Sequence, residues 1–318
     1  MIITVTPNPA LDLTYAVPSV ALGESHRVTS VTERAGGKGL NVASVLTTMG
    51  RRAVAVAPVG EPDLDLFRHD LDARRVPHRL VSSPCPTRRS VAVVEAGGRA
   101  TLFNEVGVPE SRRVWERLCD EITALAPEAS VLTVSGSFPP GTDPDLARRL
   151  TLLAHDAGLR VVLDVSGVHL TRALAAGPDL VKPNRLEAAV SLSSLGRSDV
   201  PSVPEAARAL VAAGAGAAVV SDGTDGLVLV HGDVALRARL PRPLSGNPTG
   251  AGDALTAALA DDLHETGDLP AGRDAWAAAL RRGVAWSAAA VLQPVAGALD
   301  PADVDRLFPT VEIEEIHL

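Results

Sequence analysis

Cysteine is almost missing from this 318-residue chain: Cys85 and Cys119 are too few for a disulfide framework or a thiolate zinc site, which points to a reducing, cytoplasmic setting. Aromatic residues make up only 3% against 46% hydrophobic, so the core has to be aliphatic; the length suffices for one large α/β domain with a small appendage. No uncharged apolar run reaches the roughly 18 residues that a membrane helix needs. The net charge is −8 and no Lys/Arg cluster offsets it, which excludes a nucleic-acid scaffold. Met1 leads straight into the strand-like Ile2-Ile3-Thr4-Val5, so no secretory leader is expected. Two nucleotide motifs are also missing. Gly36-Gly37-Lys38-Gly39 lacks the earlier glycine and the following Ser/Thr of a P-loop, and Leu255 stands where Gly250-Ala251-Gly252 would need a further glycine for dinucleotide binding.

What the chain does have is strand alternating with helix. Short β-branched runs occur at 2–5, 53–59, 130–134, 160–163, 179–181 and 217–220, most of them separated by Ala/Leu-rich stretches of helical length. This predicts parallel strands with crossover helices, an α/β layered sandwich. Residues 12–34 and 87–104 break the alternation, the second as a hairpin around Gly97-Gly98, and together they suit a small separate sheet acting as a lid. A long helix is expected over 274–291, with Trp276, Leu280, Val284 and Ala288 on its core face.

The most informative segment is Asn247-Pro248-Thr249-Gly250-Ala251-Gly252-Asp253, followed at once by an Ala/Leu-rich helix. Glycines at a helix start leave the first N–H groups free to face an anion, and the dipole favours negative charge there. Asp253 then reads either as a dipole cap or as a base that takes a proton from a hydroxyl attacking a bound phosphate. Gly36, Gly37 and Asn41 offer exposed backbone and an amide at another helix start, which suits a hydroxylated ligand.

Thr6-Pro7-Asn8-Pro9-Ala10-Leu11-Asp12, Gly36-Gly37-Lys38-Gly39-Leu40-Asn41, Ser135-Gly136-Ser137-Phe138-Pro139-Pro140-Gly141, Lys182-Pro183-Asn184-Arg185-Leu186-Glu187 and Gly250-Ala251-Gly252-Asp253 occur in the order of the ribokinase-like (PfkB) carbohydrate kinases. More narrowly, the chain resembles the 1-phosphofructokinase and tagatose-6-phosphate kinase branch. The resemblance implies a three-layer αβα sandwich with a mostly parallel sheet and a β-sheet lid. The main domain would take residues 1–11, 35–86 and 105–318, and the lid 12–34 and 87–104.

It also implies roles. Asp253 would be the catalytic base, with the amides of Gly250, Ala251 and Gly252 as the anion hole. Asp12, Gly36, Gly37, Lys38, Asn41, Arg88 and Ser137 would hold the sugar, Arg88 as a fork on a substrate phosphate. ATP would meet Asn184, Ser221, Gly223, Gly226, Thr249 and Gly252. Asn184 and Glu187 would hold Mg²⁺ largely through water, or form a plain capping box. Dependence on a monovalent cation stays open. Arg27 would reach a neighbouring subunit or remain a solvated charge, Asn104-Glu105 resembles the segment after the lid hairpin, and lid pairing would give a homodimer. Two departures stand out: Asp222 puts a negative charge where Leu is expected beside polyphosphate, and Ser90 replaces an amide near Arg88. The expected activity is ATP-dependent phosphorylation of a primary hydroxyl of a ketohexose phosphate, fructose 1-phosphate first, then tagatose 6-phosphate or fructose 6-phosphate. A free-sugar or nucleoside kinase, and a non-catalytic sensor, are the alternatives.

Overall fold

The β-branched runs of the sequence become strands, as side chains stiff at χ1 favour. A computed structural model of the chain describes residues 1–97, 99–196 and 201–317. Its strands are β1 Ile2–Val5, β2 Ala10–Val17, β3 Ser30–Gly36, β4 Ala53–Gly60, β5 His78–Ser83, β6 Arg88–Glu95, β7 Ala100–Asn104, β8 Val131–Ser135, β9 Arg160–Asp164, β10 Leu180–Val181, β11 Ala217–Ser221, β12 Leu227–His231, β13 Val234–Arg239 and β14 Glu312–Glu315. Ten of them form one sheet in the order β14-β13-β12-β11-β10-β9-β8-β1-β4-β5. From β5 to β11 all pairings are parallel, and β12, β13 and β14 add an antiparallel edge.

Helices cover both faces, which completes the three layers. On one face the helices Lys38–Thr48, Ala251–Thr266 and Gly272–Val291 bury Val42, Leu255, Leu259, Trp276 and Leu280 against Ile2, Val162 and Leu229. The expected long helix is there, beginning two residues before 274. On the other face Leu118, Leu146, Leu170 and Leu210 pack against Ile3, Leu132 and Val220. No helix among the described residues is long and apolar enough to cross a membrane.

The second sheet runs β3-β2-β6-β7. β2 pairs with β3 antiparallel and with β6 in parallel, so the two stretches that break the alternation in sequence meet along β2. Gly98, expected at the tip of the β6–β7 hairpin, lies outside the described residues. This sheet is anchored at one end, where Leu11, Leu13 and Ala35 share a cluster with Leu40 and Phe67. Its far half is open, and Val31, Leu102 and Phe103 are all more than half exposed.

Candidate active site

The carboxyl ends of the parallel strands converge on one cleft, as open α/β sheets require. The strand order reverses between β1 and β8, and there Asn8 Nδ2 donates to Ser137 Oγ at 3.1 Å and to the Val106 carbonyl at 3.1 Å. β9 ends in Asp164, and β10 leads into Lys182 and Asn184. The helix Ala251–Thr266 points its N-terminus at these ends. Gly250 caps it in the left-handed region at φ 88°, where a side chain would be strained and its Cβ would lie 3.0 Å from Ala296.

Asp253 sits in the first turn of that helix, buried, and accepts from Asn41 Nδ2 at 2.8 Å. Burial pushes its carboxyl up to about 6, Lys38 pulls it down, and Asp164 pushes it further up. Asn41 therefore reaches the expected base directly. Asp12 lies on β2 with its carboxyl also raised to about 6, mainly by burial, against the pull of Arg88 and Arg34. A Cβ at Gly36 would overlap the Asp12 carboxylate, so only glycine leaves that group room.

Lys38 and Lys182, the only two lysines of the chain, meet at Asp164. Their ammonium groups lie 3.3 and 3.4 Å from Asp164 Oδ1, and Lys38 also reaches Glu187 Oε1 at 2.9 Å. Asp164 is fully buried; burial alone would raise its carboxyl, but Lys182 and Lys38 outweigh this and hold it below the usual range. Lys38 is the mirror case: burial favours the neutral amine, yet Asp164, Glu187 and Asp253 raise it well above the ordinary lysine value. Thr256 closes the cluster by donating to Asp164 Oδ2 at 3.3 Å. Lys182 Nζ stands 3.5 Å from the Cβ position of Gly252, beside the expected anion hole.

Asn184 and Glu187 form a capping box on the helix Arg185–Ser193, at 2.9 Å each way. Both Glu187 oxygens thus have a protein partner, Lys38 or the Asn184 amide. Among the described residues no group of three His, Cys, Asp or Glu is placed to hold a metal. The donor set fits a cation that keeps its own waters and takes outer-sphere help from Glu187, and does not form an all-protein cage.

Asn184 bridges to Ser221, and the following turn contains Gly223 and Gly226, both at positive φ. Asp222 pairs with Arg185 at 3.4 Å, so the charge that departs from the expected pattern is locally balanced. Asp222, Asp225 and Gly226 line a cavity of about 340 Å³ together with Arg237 and Arg239. Thr249 sits exposed on the loop before Gly250, its amide donating to Asn247 Oδ1 at 3.0 Å.

Arg88, at the start of β6, donates through Nε to the Asn8 carbonyl at 3.1 Å and through Nη1 to the Glu105 carbonyl at 2.9 Å. This leaves one end of the fork free. Ser90 donates to Asn104 Oδ1 at 2.7 Å, and Arg27 is exposed in the connection between β2 and β3. Sequence reasoning missed Asp164 and Lys182 as site residues, and Arg34 as a charged neighbour of Asp12. A lone carboxylate closing the apolar run Val161-Val162-Leu163 and the lysine of Lys182-Pro183-Asn184 were the available signals for the first two.

A buried carboxylate at a glycine-led helix start, two lysines beside it and a sheet-borne cover define an enzyme that transfers a phosphoryl group to a hydroxyl. The chain belongs to the pfkB family of carbohydrate kinases, whose profile matches residues 7–303. It is 37% identical over 273 residues to the 1-phosphofructokinase of Xanthomonas campestris pv. campestris, covering 83% of this chain and 85% of that one. Phosphofructokinase-2 from Escherichia coli, 29% identical, superposes with a TM-score of 0.86 as its potassium complex and 0.82 as its fructose-6-phosphate complex, over 97% of this chain and 98% of that one. Ribokinase from Thermotoga maritima shares the fold, with a TM-score of 0.73 at 21% identity over 97% and 99% of the two chains. The chain is an ATP-dependent kinase of ketohexose phosphates.

Proposed function

We propose that the chain moves the γ-phosphoryl group of ATP onto a primary hydroxyl of fructose 1-phosphate, with tagatose 6-phosphate and fructose 6-phosphate as weaker acceptors. The observation that carries this is Asp253, buried at the amide-rich helix start and ionised above about pH 6. In the reaction Asp253 takes the hydroxyl proton, the sugar oxygen bonds to the γ-phosphorus, and the bond from that phosphorus to the β–γ bridging oxygen breaks to release ADP. The amides of Gly250, Ala251 and Gly252, with Lys182 alongside, face the charge that develops. Asp12 accepts from two sugar hydroxyls beside Gly36 and Gly37. The free end of Arg88 and the Ser137 hydroxyl meet the substrate phosphate, while Lys38 holds Asp164 and Glu187 in place.

Asn184, Ser221, Gly223, Gly226 and Thr249 lie along the path of the nucleotide. Mg²⁺, when bound, neutralises phosphate charge, and Glu187 with Asn184 would hold it through water. Phosphofructokinase-2 from Escherichia coli forms a complex with potassium, which supports a monovalent cation as a further cofactor here. Residues 12–34 and 87–104 act as a lid that excludes water from the transfer. Val31 and Phe103 leave exposed apolar surface on one face of the small sheet, which supports pairing of two lids in a homodimer.

One observation favours a second reading. Two of the three guanidinium nitrogens of Arg88 already serve main-chain carbonyls, which suits a free-sugar kinase in which Arg88 only ties the lid down. ADP release with MgATP against fructose 1-phosphate, fructose 6-phosphate, tagatose 6-phosphate and the free sugars separates the two. Arg88→Ala is expected to raise KM for the phosphorylated acceptor at least about tenfold, as loss of a charge-assisted bond does. Unchanged kinetics in that variant, or turnover of free sugars alone, would sink the phosphosugar assignment.

A further inference from the structure

Arg34 lies on β3, directly opposite Asp12 in the β2–β3 register, and it is half-buried. None of the roles above uses it. Its Nη1 crosses from the small sheet to the main body and donates to the Ala296 carbonyl at 3.1 Å. That carbonyl belongs to the turn after the helix Gly272–Val291, and the turn touches two parts of the catalytic cluster. Ala296 packs on Gly250, where a Cβ would come within 3.0 Å of it, and a Cβ at Gly297 would come within 2.8 Å of Asn41 Oδ1. Asn41 in turn holds Asp253 at 2.8 Å.

The strand end that carries Arg34 is itself fixed. The Ala35 amide donates to Asp70 Oδ2 at 3.1 Å, Arg74 Nη2 donates to the Ala35 carbonyl at 2.9 Å, and Arg74 also pairs with Asp70. Arg34 therefore swings from a rigid base: its guanidinium donates to the Ala296 carbonyl, and Asp12 stands opposite it across the strand pair. The charges around it are Asp12, Asp70 and Arg74.

We propose that Arg34 is a positioning residue that couples the sugar half of the site to the nucleotide half, by holding the 296–297 turn under Gly250 and Asn41 once sugar hydroxyls occupy Asp12. The inference rests on the reading of Asp12 as the sugar anchor and Gly250 as part of the anion hole. A diol that takes both Asp12 oxygens weakens the pull of that carboxylate on Arg34, so that the guanidinium bears more firmly on Ala296, and the turn then stiffens behind the anion hole. Linkage makes the effect reciprocal: the factor by which sugar tightens nucleotide is the factor by which nucleotide tightens sugar.

The test is equilibrium binding, without turnover. Dissociation constants of fructose 1-phosphate and of a non-hydrolysable ATP analogue with Mg²⁺ are measured singly and in each other's presence, for the wild type and for Arg34→Ala. In the wild type each ligand should tighten the other at least about fivefold, the lower end of ordinary coupling. In Arg34→Ala both single-ligand constants should stay within about threefold while the mutual factor falls to about one. A residue that only bound sugar would lose sugar affinity and keep the factor, and a residue that only braced the fold would weaken both ligands together; either result overturns the proposal. Arg34→Met, which keeps the buried stem, replaces Arg34→Ala if the latter melts early. Wild-type protein that binds and phosphorylates fructose 1-phosphate without coupling removes the Arg34 role and leaves the kinase reading intact. Wild-type protein that neither binds nor phosphorylates any sugar removes both.

Discussion

The charge of Asp253 works against stability, and the proposed transfer needs that same charge. Its folded-state pKa of about 6 lies above the unfolded carboxylate value, so ionising it costs stability above pH 6, and that cost fades as the pH falls through 6 toward the unfolded value. Asp253→Asn should therefore stabilise the protein at pH 8 by on the order of 1–3 kcal/mol, a gain that vanishes near pH 4, while kcat falls by roughly 10² or more. Thermal melts at the two pH values and steady-state rates check both halves. A fall in melting temperature at pH 8 would mean that the Asn41 bond outweighs the buried charge. Asp12 is also raised to about 6, so in the wild type two carboxylates must ionise together. The acid limb of log kcat/KM should steepen toward a slope of two below pH 6, and a slope of one would remove one of them from the mechanism.

At the scale of single elements, the helix Arg185–Ser193 has one observed role and one proposed role on the same pair of residues. Asn184 and Glu187 close a complete capping box, so the N-x-x-E pattern has a folding explanation that needs no metal. Glu187→Gln separates the roles, because an amide oxygen can still accept from the Asn184 amide while the charge is gone. The melting temperature is expected to move by only a few degrees, and the Mg²⁺ concentration giving half-maximal rate to rise severalfold. An unchanged Mg²⁺ dependence would leave Glu187 as a cap and a partner of Lys38. The helix Ala251–Thr266 starts differently: Gly250 at φ 88° caps it in the left-handed region with no side-chain cap bond, and Asp253 stands in its first turn.

Across the whole molecule, the parallel strands were legible because their β-branched runs are short and bounded, and β1 and β9 appear within a residue of where the pattern puts them. The antiparallel edge was not: β14 reads Glu-Ile-Glu-Glu and carries no apolar run, since an edge strand buries almost nothing. Asp253 and Asn41 were legible from glycine-led helix starts, but their meeting was not, because 212 positions separate them in the chain and only the fold closes the gap. Arg34 left no mark at all in a segment that otherwise reads as an exposed strand.

The pairing of both lysines with Asp164 has a practical side. Apart from its α-amine, the molecule has no primary amine outside the Asp164 cluster: arginine supplies every other fixed cation, and Lys182 is almost fully buried while the Lys38 side chain is 36% exposed. Acylating reagents thus have no harmless lysine to consume. Because carboxylates hold Lys38 protonated well above the ordinary lysine range, an acetyl succinimidyl ester should take the α-amine first and Lys38 only slowly; activity should fall in step with modification of Lys38, followed by peptide mass, and bound sugar phosphate with nucleotide should slow it, while full activity after Lys38 is acetylated would contradict its proposed place in the site. A support that captures proteins by their ε-amines would find only the two that Asp164 already holds.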